Sequence, residues 1–518
     1  MNYNGTSRFS GNHTIMFIRV ITLSLFLIAA AFPASCLLQA QTVATPGQTA
    51  LGGGTAFSTG LSAHFNNPAN LMTRQDQRRH QVAAGAGGFY YSTGAALRNP
   101  FALYDELLPY FIPEDLESVA ELDPADRERM FFGSDRFHQT QAYEIIPVGY
   151  TWTGKNSAYS LAFRSRGISS FEMNRNWYEN ALEGEDTEAT FLRYMNDNYQ
   201  VYHEISVAFA REVTMVNQWH SGLNTLYIGL APKLLLGGMY SQIRYRSEYR
   251  PDGDIWLNTE SMKVQAAGNM NAYLEDLLFS NDPAQASRNH LGSSSNMNTS
   301  GYGIGLDAGL TYIIPLGDDT SLSPHSSEPL RKSLRFSIAL TDLGAIRYGR
   351  NPGEWQTRTV TRPQSQISEN SARFDGKPGE FLQYLHENSQ ESTVLDNLDR
   401  TGDSPFTIQL PTELHTGAAL QYRWFASMID LNYRFNSPDF RTDGWRLSLA
   451  SEVRLLDIIP LTGSVQLNPG GYAAIGAGAG LDLGYLRVSG ALRLFRSDEE
   501  SPQWQINSIS GLAMQVRF

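Results

Sequence analysis

Apolar and polar residues alternate with a period of two along most of this chain. Residues 302–314 set Tyr302, Ile304, Leu306, Ala308, Leu310, Tyr312 and Ile314 on one face, against Gly303, Gly305, Asp307, Gly309 and Thr311 on the other. Residues 427–435 set Ile429, Leu431, Tyr433 and Phe435 against Asp430, Asn432 and Arg434. Trp445, Leu447, Leu449, Val453 and Leu455 oppose Arg446, Ser448, Glu452 and Arg454, and the last segment opposes Leu512, Met514, Val516 and Phe518 to Gly511, Gln515 and Arg517. Successive side chains of a strand point to opposite faces, so these runs predict strands with one apolar face. A soluble sandwich alternates too. The polar faces here, however, carry charges of both signs at mid-strand: Arg164, Glu204, Asp307, Arg335, Asp430, Glu452, Asp482 and Arg493. A barrel lumen can hydrate and pair such charges while the apolar face meets lipid.

The pattern predicts strands at 81–91, 142–153, 158–168, 200–211, 224–248, 301–314, 334–346, 413–424, 427–436, 444–454, 461–468, 472–483, 485–495 and 507–518. The very long connections, 92–141, 169–199, 249–300 and 347–412, all follow odd-numbered strands. Those after even strands are mostly short, such as Gly154 to Ser157 and Phe425–Ala426. Long outer loops and short periplasmic turns are the habit of outer-membrane barrels. The expected fold is therefore all-β: a transmembrane antiparallel β-barrel of about fourteen strands, with long extracellular loops and both termini facing the periplasm. Residues 224–248 contain Gly237-Gly238 and read either as a hairpin or as one long strand. The loop parity favours one strand that projects beyond the membrane, with a bulge at the glycines. Tyr90, Tyr91, Trp152, Tyr240, Tyr312, Trp424, Trp445, Tyr472, Phe495 and Trp504 fall near strand ends and fit interfacial girdles. Pro100 to Tyr110, Asn271 to Phe279 and Gly379 to Glu387 read as short amphipathic loop helices.

Ahead of the strands, Arg19 precedes an apolar stretch from Val20 to Phe32, followed by small residues and Gln39-Ala40-Gln41. That stretch is shorter than the ~20 residues of a spanning helix and suits the apolar region of a secretory signal. Residues 1–40 are read as a signal peptide cleaved near Ala40 or Gln41, with translation starting at Met1 or Met16. A lipoprotein signal on Cys36 is the rival reading, but Pro33 stands where an aliphatic residue is wanted. Removing residues 1–40 takes away Arg8 and Arg19 and no acid, moving the formal charge from −12 to −14. It also removes Cys36, the one cysteine, so a mature disulfide framework is excluded.

Composition narrows the chemistry. Charged residues make up 18% and mean hydropathy is −0.31, as suits a barrel in which alternate strand residues meet lipid. The acidic balance argues against a nucleic-acid partner. The ten histidines are scattered, no His-Glu-x-x-His or Gly-x-Ser-x-Gly occurs, and no cofactor, metal or catalytic site is expected. Gly303-x-Gly305-x-x-Ala308 formally fits a dinucleotide fingerprint, but it lies inside an alternating strand with no helix after it. Glu499-Glu500 in an outer loop reads as a solvated pair or a divalent-cation contact beside lipopolysaccharide.

Residues 47–71, GQTALGGGTAFSTGLSAHFNNPANL, are small, glycine-rich and poor in charge. They can pack densely inside something but make a poor lipid-facing strand. Gly53, Gly54, Ala56, Asn67-Pro68-Ala69 and Leu71, with Thr341-Asp342-Leu343-Gly344 and Leu410-Pro411, resemble the FadL-like outer-membrane transporter superfamily, including PorV-type barrels and a branch common in Bacteroidota. The resemblance implies that residues 41–80 form an N-terminal hatch plugging a barrel of residues 81–518 in the bacterial outer membrane. It also implies passive transport of a small hydrophobic ligand. A structural or secretion-associated barrel, binding a protein partner through its long loops, and an outer-membrane hydrolase are the alternatives. Phe518 ends an alternating strand and fits the signal recognised by the barrel-assembly machinery in similar barrels. Lipid and lipopolysaccharide are the remaining expected partners; the ligand-contacting residues are left open.

Overall fold

The computed structural model describes residues 54–73, 79–93, 123–131, 134–179, 190–216, 223–252, 255–279, 290, 298–316, 332–363, 374, 381, 393–422, 424–435, 444–467, 473–496 and 504–518. The leader with Cys36, residues 41–53, Pro100 to Tyr110, Tyr472 and Glu499-Glu500 lie outside the described residues, as does Gly379 to Glu387 apart from Phe381.

Nineteen strands form one sheet: β1 (His80–Thr93), β2 (Arg136–Thr153), β3 (Ser157–Asn174), β4 (Phe191–Val216), β5 (Leu223–Asp252), β6 (Ile255–Ala267), β7 (Gly301–Pro315), β8 (Lys332–Tyr348), β9 (Pro352–Thr357), β10 (Val360–Pro363), β11 (Leu398–Gly402), β12 (Phe406–Gln409), β13 (Glu413–Tyr422), β14 (Phe425–Arg434), β15 (Gly444–Leu455), β16 (Ile459–Leu467), β17 (Ala473–Asp482), β18 (Leu486–Arg496) and β19 (Trp504–Arg517). Fourteen of them, β1 to β5, β7, β8 and β13 to β19, form an antiparallel ring closed by β1 on β19, with Gln81 opposite Arg517. Closure matters because hydrocarbon offers no partner to an open strand edge. No described helix is long and apolar enough to cross a membrane.

The pleat sorts the side chains as the sequence pattern expects. Ile304, Leu310, Ile429, Leu431, Tyr433, Trp445, Leu461, Ile475 and Met514 are exposed on the outer face. Every mid-strand charge named above is buried, with Asp307, Asp430 and Glu204 each 0% exposed. A continuous apolar exterior around a charged interior inverts a soluble protein and defines a transmembrane barrel of the outer-membrane type. Trp424 and Trp445 lie on its outer surface, as a girdle requires. Tyr90 and Tyr240 do not: both are buried, and Tyr240 packs against Tyr348 and Phe406 inside.

β5 is a single strand of 30 residues, far beyond the ~9–11 needed for a crossing. Its lower part pairs with β7 from Thr225 to Gly237, and from Tyr240 onward it pairs with β6 instead. The irregularity against β4 falls between Gln200 and Tyr202, opposite Gly237 and Tyr240, so the glycine pair marks the change of partner. The long connections at 249–300 and 347–412 are not merely loops, in contrast to the sequence expectation. β6 carries β9 and β10, and β9 carries β11, building a small sheet above the barrel rim. These strands escape a period-2 reading because β9 to β12 have four to six residues each. On β6, polar Asn258 and Glu260 occupy buried positions, held by Ser247 and Arg362.

Candidate functional site

Residues 54–73 lie inside the ring, and their own chemistry fixes them there. Gly54 takes φ 104, a left-handed value that an L side chain resists, and this turns successive amides toward one acceptor. The N–H groups of Gly54 and Thr55 donate to Asp430 Oδ2 at 2.9 and 2.6 Å, and the Thr55 hydroxyl donates to Oδ1 at 3.2 Å. A short helix, α1 (Leu61–Asn66), follows, and a 3-10 turn occupies Pro68–Met72. His64 Nε2 lies 2.6 Å from the Ser206 hydroxyl of β4, and the Arg164 guanidinium sits 4.3 Å from the Phe65 ring centroid, in cation–π range.

The Asn-Pro-Ala motif acquires a physical role. Asn67 is extended at φ −156 and ψ 97, as a residue before proline must be, and its Oδ1 caps the turn by accepting from Ala69 N at 3.1 Å. Pro68 starts the turn, where its missing N–H costs nothing. Asn67 Nδ2 donates to the Thr311 hydroxyl of β7 at 3.0 Å, and that hydroxyl donates to Asn70 Oδ1 at 2.6 Å. Two wall glycines make the approach possible: a Cβ at Gly229 would overlap the Pro68–Ala69 peptide, and one at Gly309 would overlap the Asn67 amide.

Beside this segment, charges from six strands converge. Arg164 Nη2 meets Glu204 Oε2 at 2.7 Å, and Arg166 meets Glu144 at 2.7 Å and Asp342 at 2.8 Å. Lys233 Nζ meets Asp342 at 2.6 Å and Asp307 at 2.7 Å. The Arg166–Asp342 contact joins β3 directly to β8, four strands away around the wall, so the cluster is a crossbar through the lumen. Asp342 reaches it from φ 54, next to an irregularity between Leu306 and Ala308 on the paired β7. The Thr341-Asp342-Leu343-Gly344 segment thus supplies a bent strand that aims a carboxylate inward. A second group joins Glu413 to Arg434 at 2.6 Å and to Arg446 at 2.8 Å across three neighbouring strands. Leu410, at the Leu-Pro step, is fully buried and donates its N–H to the Gly344 carbonyl at 2.9 Å.

Above the rim, the face of the upper strands opposite Tyr240 carries an apolar core. It includes Met130, Met173, Met195, Met239, Met262 and Met270, with Trp177, Tyr245, Trp355, Phe374 and Phe381. It is roofed by α2 (Pro124–Phe131) and α3 (Asn269–Phe279), the latter matching the loop helix expected at Asn271 to Phe279. At the opposite end, Phe518 exchanges backbone hydrogen bonds of 3.0 Å with His80, and the two rings stack at 5.3 Å.

The structure buries Asn67, Pro68 and Ala69 against β5 and β7, and places Phe518 at the closing seam beside His80. Arg166, Lys233, Glu144 and Glu413 were not singled out from the sequence, and Asp342 only as part of its Thr-Asp-Leu-Gly motif. Their mid-strand charge was the available signal, but their pairing depends on the ring. Among the described residues, no group of three or more His, Cys, Asp or Glu could hold a metal ion.

A family model described as a family of unknown function, DUF5723, matches residues 87–490. The chain belongs to that family. No curated protein matches the DUF5723 chain. Among solved structures it is similar to the CymD monoaromatic hydrocarbon channel, at 12% identity over 94% of this chain and 99% of that one, with a TM-score of 0.40. The toluene transporter TodX of Pseudomonas putida is 10% identical, over 94% and 99% of the two chains, with a TM-score of 0.41. The translocator domain of the autotransporter NalP from Neisseria meningitidis is 8% identical, over 87% and 92%, with a TM-score of 0.24.

Proposed function

We propose that this barrel passes small hydrophobic molecules passively across the bacterial outer membrane, with residues 54–73 acting as its hatch. The observation that carries the reading is vertical order: an apolar core packed on the upper strands, then a lumen closed by a crossbar and a small, tightly fitted interior segment. An apolar solute leaving water gains from burial in the upper core, and methionines adapt to varied shapes. The crossbar leaves such a solute no straight polar-free course down that side of the lumen. A shift of the interior segment would open one. The wall behind α1 supports a lateral course. The β1–β19 ladder skips from Ala84 opposite Met514 to Gly88 opposite Ser510. The β1–β2 ladder skips Gly85 opposite Pro147, which has no N–H to give. Leu61 and Phe65 pack behind that stretch with Ala83, Ala86, Ile146 and Ala162.

The test is uptake of an apolar aromatic probe into proteoliposomes with a lipopolysaccharide outer leaflet. Leu61→Cys paired with Gly149→Cys joins two positions in direct contact. Oxidation is expected to abolish uptake and reduction to restore it. Uptake indifferent to the lock contradicts the reading. Phe518, clasped by His80, is proposed as the assembly signal, its deletion lowering the yield of inserted barrel.

A further inference from the structure

At the periplasmic end of the lumen, one interior arginine differs from its neighbours. Arg164, Arg166, Lys233, Arg434 and Arg446 each meet a carboxylate. Arg335 of β8 is 4% exposed and makes one side-chain hydrogen bond, from Nη2 to the neutral Gln421 Oε1 at 2.6 Å; no carboxylate of a described residue pairs with it, and its Nε is without a partner. Two buried hydroxyls nearby are also unpartnered, Thr225 Oγ1 and Ser333 Oγ. The register gathers all of them. Thr225, Ile313 and Arg335 lie opposite one another across β5, β7 and β8, and Ser333, two residues below Arg335, lies opposite Gln421. Ile313 also touches the cluster containing Leu71 and Met72, so the group lies beside the end of the interior segment.

A guanidinium carries five N–H donors in a planar fork, which matches two oxygens of one anion. Water can satisfy orphan hydroxyls, but it does not neutralise a buried charge, and an uncompensated buried ion is strongly disfavoured. We propose that Arg335, Thr225, Ser333 and Gln421 form a binding site for an oxyanion, a carboxylate or a phosphate. The anion is either free or the head of an amphiphile whose chain lies along Ile313 and Met72. The site stands whether or not the barrel transports anything, because it is defined by charge and hydrogen bonds alone.

The experiment is calorimetric titration of the purified full-length barrel, in a neutral detergent, with inorganic phosphate, acetate, octanoate and octanol. Saturable binding of at least one anion, and none of octanol, is expected. Arg335→Gln is expected to weaken it at least tenfold. Gln421→Glu supplies an internal carboxylate beside the guanidinium and is expected to exclude the added anion while keeping the heat-modifiable gel shift of a folded barrel. That second variant decides the matter if the first fails to fold. Acetate or phosphate binding as tightly as octanoate identifies a free anion; octanoate alone identifies an amphiphile. No anion binding to the wild-type barrel, or binding unaltered in both variants, overturns the proposal.

Discussion

The two halves of β5 have the same backbone and the same period, yet opposite surfaces. Below Gly237, Ile228, Leu230 and Leu234 are exposed outside while Tyr227, Ala231 and Lys233 are buried inside. Above Tyr240, Arg244, Arg246 and Arg250 are exposed while Ile243, Tyr245 and Tyr249 are buried. The one-residue bulge at the glycines turns the pleat over, so Arg244 and Arg246 share the face of Tyr240, while Ile243 and Tyr245 continue the side that carries Leu230 and Leu234 below. What changes between them is what covers that outer side, hydrocarbon below and the packed core shared with α3 above, while the opposite face above the rim meets water. The glycine pair sits at that boundary, where the strand also exchanges β7 for β6.

The comparison can be broken in several ways, each read by unfolding the barrel from lipid vesicles in denaturant. The largest effect belongs to the charged interior of the lower half. Asp342→Ala leaves Lys233 and Arg166 short of an acid and is expected to cost about 3–5 kcal/mol; a loss below ~1 kcal/mol would show that water already fills the crossbar. Next comes the lipid face, where Leu230→Arg is expected to cost about 2–4 kcal/mol, depending on depth. Asn67→Ala removes the cap of the 3-10 turn and the bond to Thr311, for about 1–2 kcal/mol. It should also raise leakage of an apolar probe through the reconstituted barrel. Smallest is Arg246→Leu on the water-exposed face of the upper half, expected to stay within ~0.5 kcal/mol. Equal costs for Leu230→Arg and Arg246→Leu would erase the distinction between the halves.

Much of the lower half was legible in the sequence, because each strand repeats one rule and the loop lengths repeat another. The strands come out with alternation intact, and even the undivided β5 follows from loop parity. The small sheet above the rim was not legible, since β9 to β12 are too short for a period to show and Glu260 is buried by a partner, Arg362, 102 residues away. Tyr90 and Tyr240 misled for a related reason: an aromatic near a strand end faces lipid only if the pleat turns it outward, and here it does not. In the interior, the sequence announced charges but not pairs. Arg166 and Asp342 are 176 residues apart, and only closure of the ring brings them together. Asn67 was found through its motif, whereas Thr311, which holds it, was visible only as a polar-face residue of β7.

The most direct measurement places single cysteines along β5 at 228, 230, 234, 244, 246 and 250 in a background with Cys36→Ser, followed by labelling of intact cells with a membrane-impermeant maleimide. Ready labelling at 244, 246 and 250, with none at 228, 230 and 234, is the expected result. Equal reactivity along the strand, or reactivity confined to the lower positions, would contradict a membrane boundary at Gly237-Gly238.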